Sequence, residues 1–432
     1  MLNIQKKLTG LFYIILSLPA TSMGFALSIQ IAVLSWILST KYNLDIHDVG
    51  IVWAAGPIAG ILGQVIIGFI SDKVWFWGGR RRPFIIIGGV LAAIMIVALP
   101  FIGKINDALS INSLITVAII VAVTLDISIN ISFNPTRSVI ADVTPNGSQR
   151  TKGYTWMQTI SGFFGVFAYV FGAVFGNYTL IWFGAILVLL FSIIPTFLIK
   201  EPRELRASTF TAAEPDFQEK KKIKWGGLIK IYVAHSFTWL GVQTMFVYIF
   251  AYISQFQFGI SNMSKLNESQ TFETGQIIAI SFAIMNTVGF LLPAFILQPL
   301  TKKFGNVKTH LLCIIIMALG YWGIVGFGNN EVRLYMLMGI IGIGWASVVS
   351  LPFAIMSEMV DKSKMGLFMG IFNLSVVIPQ LVVSLFFGSF VQSADDKIII
   401  FVISAVSLSV SAFLWLFIKE QKQSFVSLGF LV

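Results

Sequence analysis

The placement of charged side chains limits what this chain can fold into more than any other feature. With Asp, Glu, Lys and Arg taken as breaks, charge-free runs remain at 8–40, 49–71, 83–103, 108–125, 153–199, 231–264, 274–301, 311–330, 334–357, 366–394 and 398–418. About 20 apolar residues cross a bilayer as a helix. The fourth run continues past the lone Asp126 to Thr136, and the 47-residue run at 153–199 must be two spans, folded at Gly176-Asn177-Tyr178. The pattern predicts twelve transmembrane helices. Composition agrees: 56% of the residues are hydrophobic and 11% charged, against about a quarter charged in soluble proteins. The apolar run behind Lys6 and Lys7 is too long for a cleavable signal peptide.

The net charge of +10 would suggest nucleic acid if the cations formed a patch. They alternate between loops instead. With both termini in the cytoplasm, 24 of the 29 Lys and Arg fall on the cytoplasmic side and 5 on the other, a strong positive-inside bias. The bilayer, not nucleic acid, is the partner this implies. The polar stretch 200–227 ends in Lys220, Lys221, Lys222 and Lys224 and reads as a cytoplasmic linker touching anionic lipid. It separates two halves, 1–199 and 228–432, that repeat each other. Pro135-Thr-Arg137 leads to Asp142 and Gly153, and Pro352-Phe leads to Glu358 and Gly366, at offsets of 216 and 213 residues. An all-α integral membrane protein of two pseudo-symmetric six-helix bundles is the architecture of a major facilitator transporter, expected as a monomer in the plasma membrane, the cytoplasmic (inner) membrane of a bacterium.

An ionised group near the bilayer centre costs at least about 2.5–3.5 kcal/mol and needs a reason to be there. Asp126 is the acid that lies deep in a span, about 21 Å from the start of span four at ~1.5 Å per residue. Asn130, Asn134 and Arg137 follow at +4, +8 and +11, on one helical face. Such a stripe lines a cleft or packs against another helix. Asp126 is therefore the candidate proton-coupling group, with Arg137 as its counter-charge in one state. The competing readings are an Asp that locks helix packing and an Arg that snorkels to the interface. Other polar candidates for a substrate site are Ser28, Gln30, Gln64, Asn130, Gln158, Trp239, Asn286, Asn373 and Gln380. Amides bond hydroxyls and an indole stacks on a sugar's C–H face, so the set suits an uncharged polar substrate. His235 is a further titratable group outside this mechanism. At the cytoplasmic face Arg80, Arg81 and Arg82 can pair with Asp72 or Asp142 and close a gate, or they can simply fix topology.

Several of these residues stand in stretches that resemble a known group. Met23-Gly-Phe-Ala-Leu27, Gly56-Pro-Ile-Ala-Gly60 with Gln64, and Gly79-Arg-Arg-Arg-Pro-Phe-Ile85 resemble the plant sucrose transporters. Leu125-Asp-Ile-Ser-Ile-Asn130 with Pro135-Thr-Arg137 is similar to their span four. Gln149-Arg-Thr-Lys-Gly-Tyr154 is similar to the bacterial maltose branch of the same glycoside-pentoside-hexuronide group. Phe237-Thr-Trp239 and Gly370-Ile-Phe-Asn373 through Gln380 resemble spans seven and eleven. The resemblance runs from about Met23 to Leu385 and implies proton-coupled uptake of a disaccharide or glucoside, with Asp126 as the coupling carboxylate. Two positions depart from it. Ser28 stands where an amide is usual, and Asn134 stands where Gly or Glu is usual.

Enzymatic chemistry has no support in the sequence. No nucleophile–base pair or phosphate-binding loop is present. One cysteine, Cys313, and the dispersed His47, His235 and His310 leave no metal or cofactor motif. The rival transport readings are a sodium-coupled symporter of the melibiose type, which would place acids in span two as well, and a proton-coupled exporter of another small polar solute.

Overall fold

The computed structural model describes residues 3–60, 70, 74–145, 148–202, 225–261, 265–328, 330–360 and 365–419. The protein is helical throughout. In chain order the principal helices are α1 (Gly10–Thr40), α2 (Ile46–Trp53), α3 (Arg82–Ala98, extended by Ile102–Leu109) and α4 (Leu114–Val143). They continue with α5 (Ser148–Phe175), α6 (Asn177–Leu198), α7 (Trp225–Phe258) and α8 (Glu268–Leu292). The last four are α9 (Asn306–Phe327), α10 (Glu331–Val348), α11 (Met365–Val382) and α12 (Ile399–Trp415). Among the described residues ten helices are long and apolar enough to cross a membrane. Helix α12 is a shorter apolar helix, and α2 leads towards residues 61–69, which lie outside the described set.

Local chemistry sets the breaks. The long apolar run at 153–199 does divide as its Gly-Asn pair predicts. Gly176 takes φ +82° between α5 and α6, a conformation that costs glycine nothing and other residues roughly 1–2 kcal/mol. Asp45 caps α2 by accepting the Asp48 N–H at 2.8 Å, and Asn330 caps α10 through the Arg333 N–H at 2.9 Å. Pro293 opens a π-helical turn, Pro293–Leu297, after α8, and a second, Val383–Phe387, follows α11. Such turns free backbone carbonyls. Val383 O is taken up by the Tyr248 hydroxyl of α7 at 3.0 Å.

Helices α1, α3, α4, α5 and α6 pack among themselves, and α7 to α12 do likewise. The two groups meet where α5 lies along α8, where α2 meets the segment after α11, and where α7 crosses α1 and α2. Lipid offers no hydrophobic drive between helices, so close backbone approach holds them together. Gly241 of α7 shows this. Its carbonyl accepts Ser404 Oγ of α12 at 2.8 Å, and a Cβ there would stand 2.8 Å from Ser404 O and against Leu408. Gly241→Val should therefore destabilise the second helix group by about 1–3 kcal/mol. The check is a lower unfolding midpoint of the detergent-solubilised protein.

Candidate functional site

Helices α1 and α4 cross where Asp126 sits. The carboxylate is 6% exposed and Gln30 of α1 is 2% exposed. Gln30 Nε2 donates to Asp126 Oδ2 at 2.9 Å. The other end of the same amide, Oε1, is buried without a partner. Gly56 brings the backbone after α2 over the acid, and a Cβ there would lie 3.4 Å from Oδ2. Among the described residues the buried acid therefore has one side-chain donor, beside an acceptor that lacks a donor. Protonating Asp126 supplies the missing kind of group.

The remaining sequence candidates divide by what holds them. Asn130 turns its Nδ2 back to the Asp126 carbonyl at 2.8 Å, so part of its amide serves its own helix. Ser28 Oγ donates to Gly24 O at 3.0 Å and faces Gly165 of α5. The Arg137 guanidinium stacks 4.0 Å over the Phe133 ring, and among the described residues no carboxylate is within ion-pair distance of it. The structure does not bring Arg137 and Asp126 together. Gln158 is exposed on α5.

In the second helix group, Trp239 Nε1 donates to His235 Nε2 at 2.9 Å. Asn286 Oδ1 accepts Trp345 Nε1 at 3.3 Å while its Nδ2 bonds Phe282 O at 2.9 Å. Gln380 Nε2 donates to Gln243 Oε1 at 3.2 Å. Asn373 is half-buried on α11. Gln64 and Asp72 lie outside the described residues. No group of three His, Cys, Asp or Glu that could hold a metal ion occurs among the described residues.

The triple arginine stands where α3, α4 and α6 converge. Arg81 Nε pairs with Asp142 Oδ2 at 3.1 Å. The Glu201 carboxylate accepts the backbone N–H groups of Arg80, Arg81 and Arg82 at 2.7, 2.8 and 2.8 Å. It thereby sits as an anion on the positive end of α3. Arg82 Nη2 donates to Ile199 O at 2.9 Å. Sequence reasoning missed Glu201, although an acid directly behind Lys200 in a basic loop was a usable signal. It also missed Trp345, which lies as deep in its span as Trp239 does.

Among the described residues, hydrogen bonds between the two helix groups cluster at the end of the bundle opposite Gln5 and Glu201. Trp36 Nε1 donates to Thr271 O at 2.9 Å, Ser35 Oγ to Val247 O at 3.0 Å and Gln276 Nε2 to Ala173 O at 2.9 Å. His47 meets Ser389 Oγ through Nδ1 at 2.9 Å and gives its backbone N–H to Gln392 Oε1 at 3.1 Å. Gln392 Nε2 then reaches Asp45 Oδ2 at 3.2 Å. Behind this contact Lys397 Nζ donates to the carbonyls of Val391, Gln392 and Ala394 at 3.0, 3.0 and 2.5 Å, bracing the helix end that carries Gln392.

A sequence model described as the Major Facilitator Superfamily matches residues 16–378. The chain is 23% identical over 397 residues to the sucrose transport protein SUC4 of Arabidopsis thaliana, covering 79% of this chain and 77% of that one. It is 28% identical over 174 residues to the general alpha-glucoside permease of Schizosaccharomyces pombe, covering 36% and 31%. Its fold matches the inward-open xylose transporter XylE of E. coli with a TM-score of 0.67 at 15% identity, over 95% of this chain and 97% of that one.

The contact at His47 yields an expected outcome. Removing its side-chain partners with Ser389→Ala and Gln392→Ala deletes hydrogen bonds worth about 0.5–1.5 kcal/mol each. A maleimide should then react on the order of tenfold faster with a cysteine placed at Ser39, buried near this end of α1. Equal rates in the two backgrounds would show that the contact does not hold the end shut.

Proposed function

The chain belongs to the Major Facilitator Superfamily, and from that premise we propose that it takes up a neutral sugar with a proton by alternating access. The substrate is a disaccharide or glucoside, such as maltose or sucrose. The observation that carries this reading is the buried Asp126 carboxylate, held by the amide of Gln30 inside a spanning helix. The similarity to sucrose and alpha-glucoside carriers supports the substrate class.

In this reading the halves 1–199 and 228–432, joined by 200–227, each hold six spans of a twelve-span monomer. Both termini face the cytoplasm, as the Lys and Arg distribution suggests, in the plasma membrane of a bacterial cell. The bonded end of the bundle then faces outward and the state is inward-facing.

An ionised carboxylate in a dry site costs several kcal/mol unless it is well paired. Asp126 is therefore favoured as an ion when water or sugar hydroxyls reach it, and as a neutral acid when the cleft closes. A proton taken up outside lets the empty acceptor beside it be satisfied and lets the cleft reorient. Opening to the cytoplasm rehydrates the acid and releases the proton. Gln30, Ser28, Asn130 and Gln158, with Gln64, form the polar wall on one side. Trp239, Asn286, Asn373 and Gln380 form the wall on the other. Arg137 steadies the ionised acid in a different state from this one. Arg80, Arg81, Arg82 and Asp142, with Asp72, form the first half's side of the cytoplasmic gate, which closes against the second half in the outward-facing state while the Arg81–Asp142 pair stays formed.

Purified protein in liposomes should accumulate a disaccharide or glucoside when a pH gradient, acid outside, is imposed. A sodium gradient alone should fail to drive it. Asp126→Asn keeps the shape of the neutral acid but cannot release a proton. It should abolish accumulation while leaving membrane insertion and the unfolding midpoint close to wild type. Concentrative uptake by Asp126→Asn at the wild-type rate would end the coupling reading.

A further inference from the structure

Resting on the sugar-uptake reading, we propose that Trp345 is a second aromatic wall of the sugar site, and that His235 and Asn286 are the positioning residues that hold the two walls. The wall on α7 is Trp239. Its ring centroid lies 6.0 Å from that of Trp345 on α10, with the planes at 78°. Both indoles are half-buried although Trp239 lies in the middle of α7 and Trp345 in the middle of the apolar span 331–356.

Both indole N–H groups are already used. Trp239 Nε1 donates to His235 Nε2 at 2.9 Å, and Trp345 Nε1 donates to Asn286 Oδ1 at 3.3 Å. Neither ring can then offer a donor to a hydroxyl. What they offer is π surface, which binds the slightly positive C–H face of a pyranose. The supports are themselves fixed. His235 is fully enclosed and stacks on Phe372 at 4.8 Å with a 20° interplanar angle. Asn286 is anchored to Phe282 O at 2.9 Å.

Trp345 also has a seat built for it. Gly289 of α8 leaves a notch under the indole, and a Cβ there would stand 2.7 Å from Trp345 Cδ1. Buried rings connect the corner to the junction of the two helix groups. Phe246 packs edge-on to Trp345 at 5.4 Å, Phe282 on Phe246 at 5.4 Å, and Tyr169 of α5 on Phe282 at 5.7 Å. An aromatic line therefore runs from the corner into the half that carries Asp126. The two walls divide the work of recognition. The first half meets hydroxyls with a carboxylate and amides, and the second meets C–H faces with rings.

The test uses the full-length protein and whichever sugar the wild type accumulates. Apparent KM and Vmax are measured in liposomes, and Kd by calorimetry in detergent. Trp345→Leu should raise KM and Kd together by about tenfold, the scale of one lost stacking contact, with Vmax changed little. Trp345→Phe should fall between Trp345→Leu and wild type. Gly289→Ala keeps the indole but fills its seat, and should raise Kd in the same direction. His235→Leu should weaken binding by orphaning the Trp239 N–H, and His235→Gln, which restores an acceptor, should recover it.

Wild-type KM and Kd in both Trp345→Leu and Gly289→Ala would overturn the proposal. So would equal losses in His235→Leu and His235→Gln, for the positioning role. If Trp345→Leu does not fold, Kd for Trp345→Phe and Gly289→Ala decides. Failure of the underlying reading is seen separately: wild-type protein that accumulates no sugar under any gradient removes the uptake reading, and the corner's role with it.

Discussion

A polar group inside hydrocarbon has no water to bond, so the protein must supply every partner itself. Most buried hydroxyls here solve this locally by donating to a carbonyl one turn back. Ser17 bonds Tyr13 O at 2.7 Å, Thr21 bonds Ser17 O at 3.0 Å and Thr244 bonds Leu240 O at 2.7 Å. These residues cost little and leave the helix surfaces free to pack. Asp126 is not settled this way. It draws one donor from a different helix, and that amide leaves its own oxygen unpaired. Other buried polar atoms lack a partner too, the Tyr321 and Ser281 hydroxyls among them, but at Asp126 the unpaired acceptor stands beside a group that can take up a proton.

Fewer side-chain hydrogen bonds join the two helix groups than hold each group together. Within the first, Glu201 and the Arg81–Asp142 pair tie α3, α4 and α6 into one body near the chain termini. Within the second, Lys397 and Gln255 brace the loop before α12, the Gln255 amide bonding Asp395 O at 2.6 Å and the Lys397 N–H at 2.6 Å. Between the groups, the hydrogen bonds among the described residues are few, neutral or singly charged, and confined to one end. At about 0.5–1.5 kcal/mol each they sum to several kcal/mol. That is strong enough to hold one arrangement and weak enough for an alternative set at the other end to compete. Rigid bodies joined by such a seam rock rather than deform.

What the sequence by itself determined follows from one-dimensional physics. Charge spacing set the ten long apolar helices found among the described residues, because burying Lys, Glu, Asp or Arg in hydrocarbon is costly at any position. The Gly176-Asn177 pair set a helix break, because only glycine adopts positive φ freely. Helical periodicity placed Asp126 deep in its span and Asn130 on its face. The alternation of spans placed Asp142 and the arginines at the same end of the bundle, where Arg81 and Asp142 do pair.

Only the tertiary structure decided which groups meet. The rotation and crossing of α1 over α4, not any local pattern, put Gln30 against Asp126 across 96 residues of sequence. The same holds for Trp345 on Asn286 and for Gln243 on Gln380, amides that the sequence offers as free ligands and that packing partly consumes. Periodicity fixes the face a side chain stands on. Its neighbour is fixed by how the helices pack, through small residues such as Gly289 and Gly56 whose meaning depends on the helix opposite.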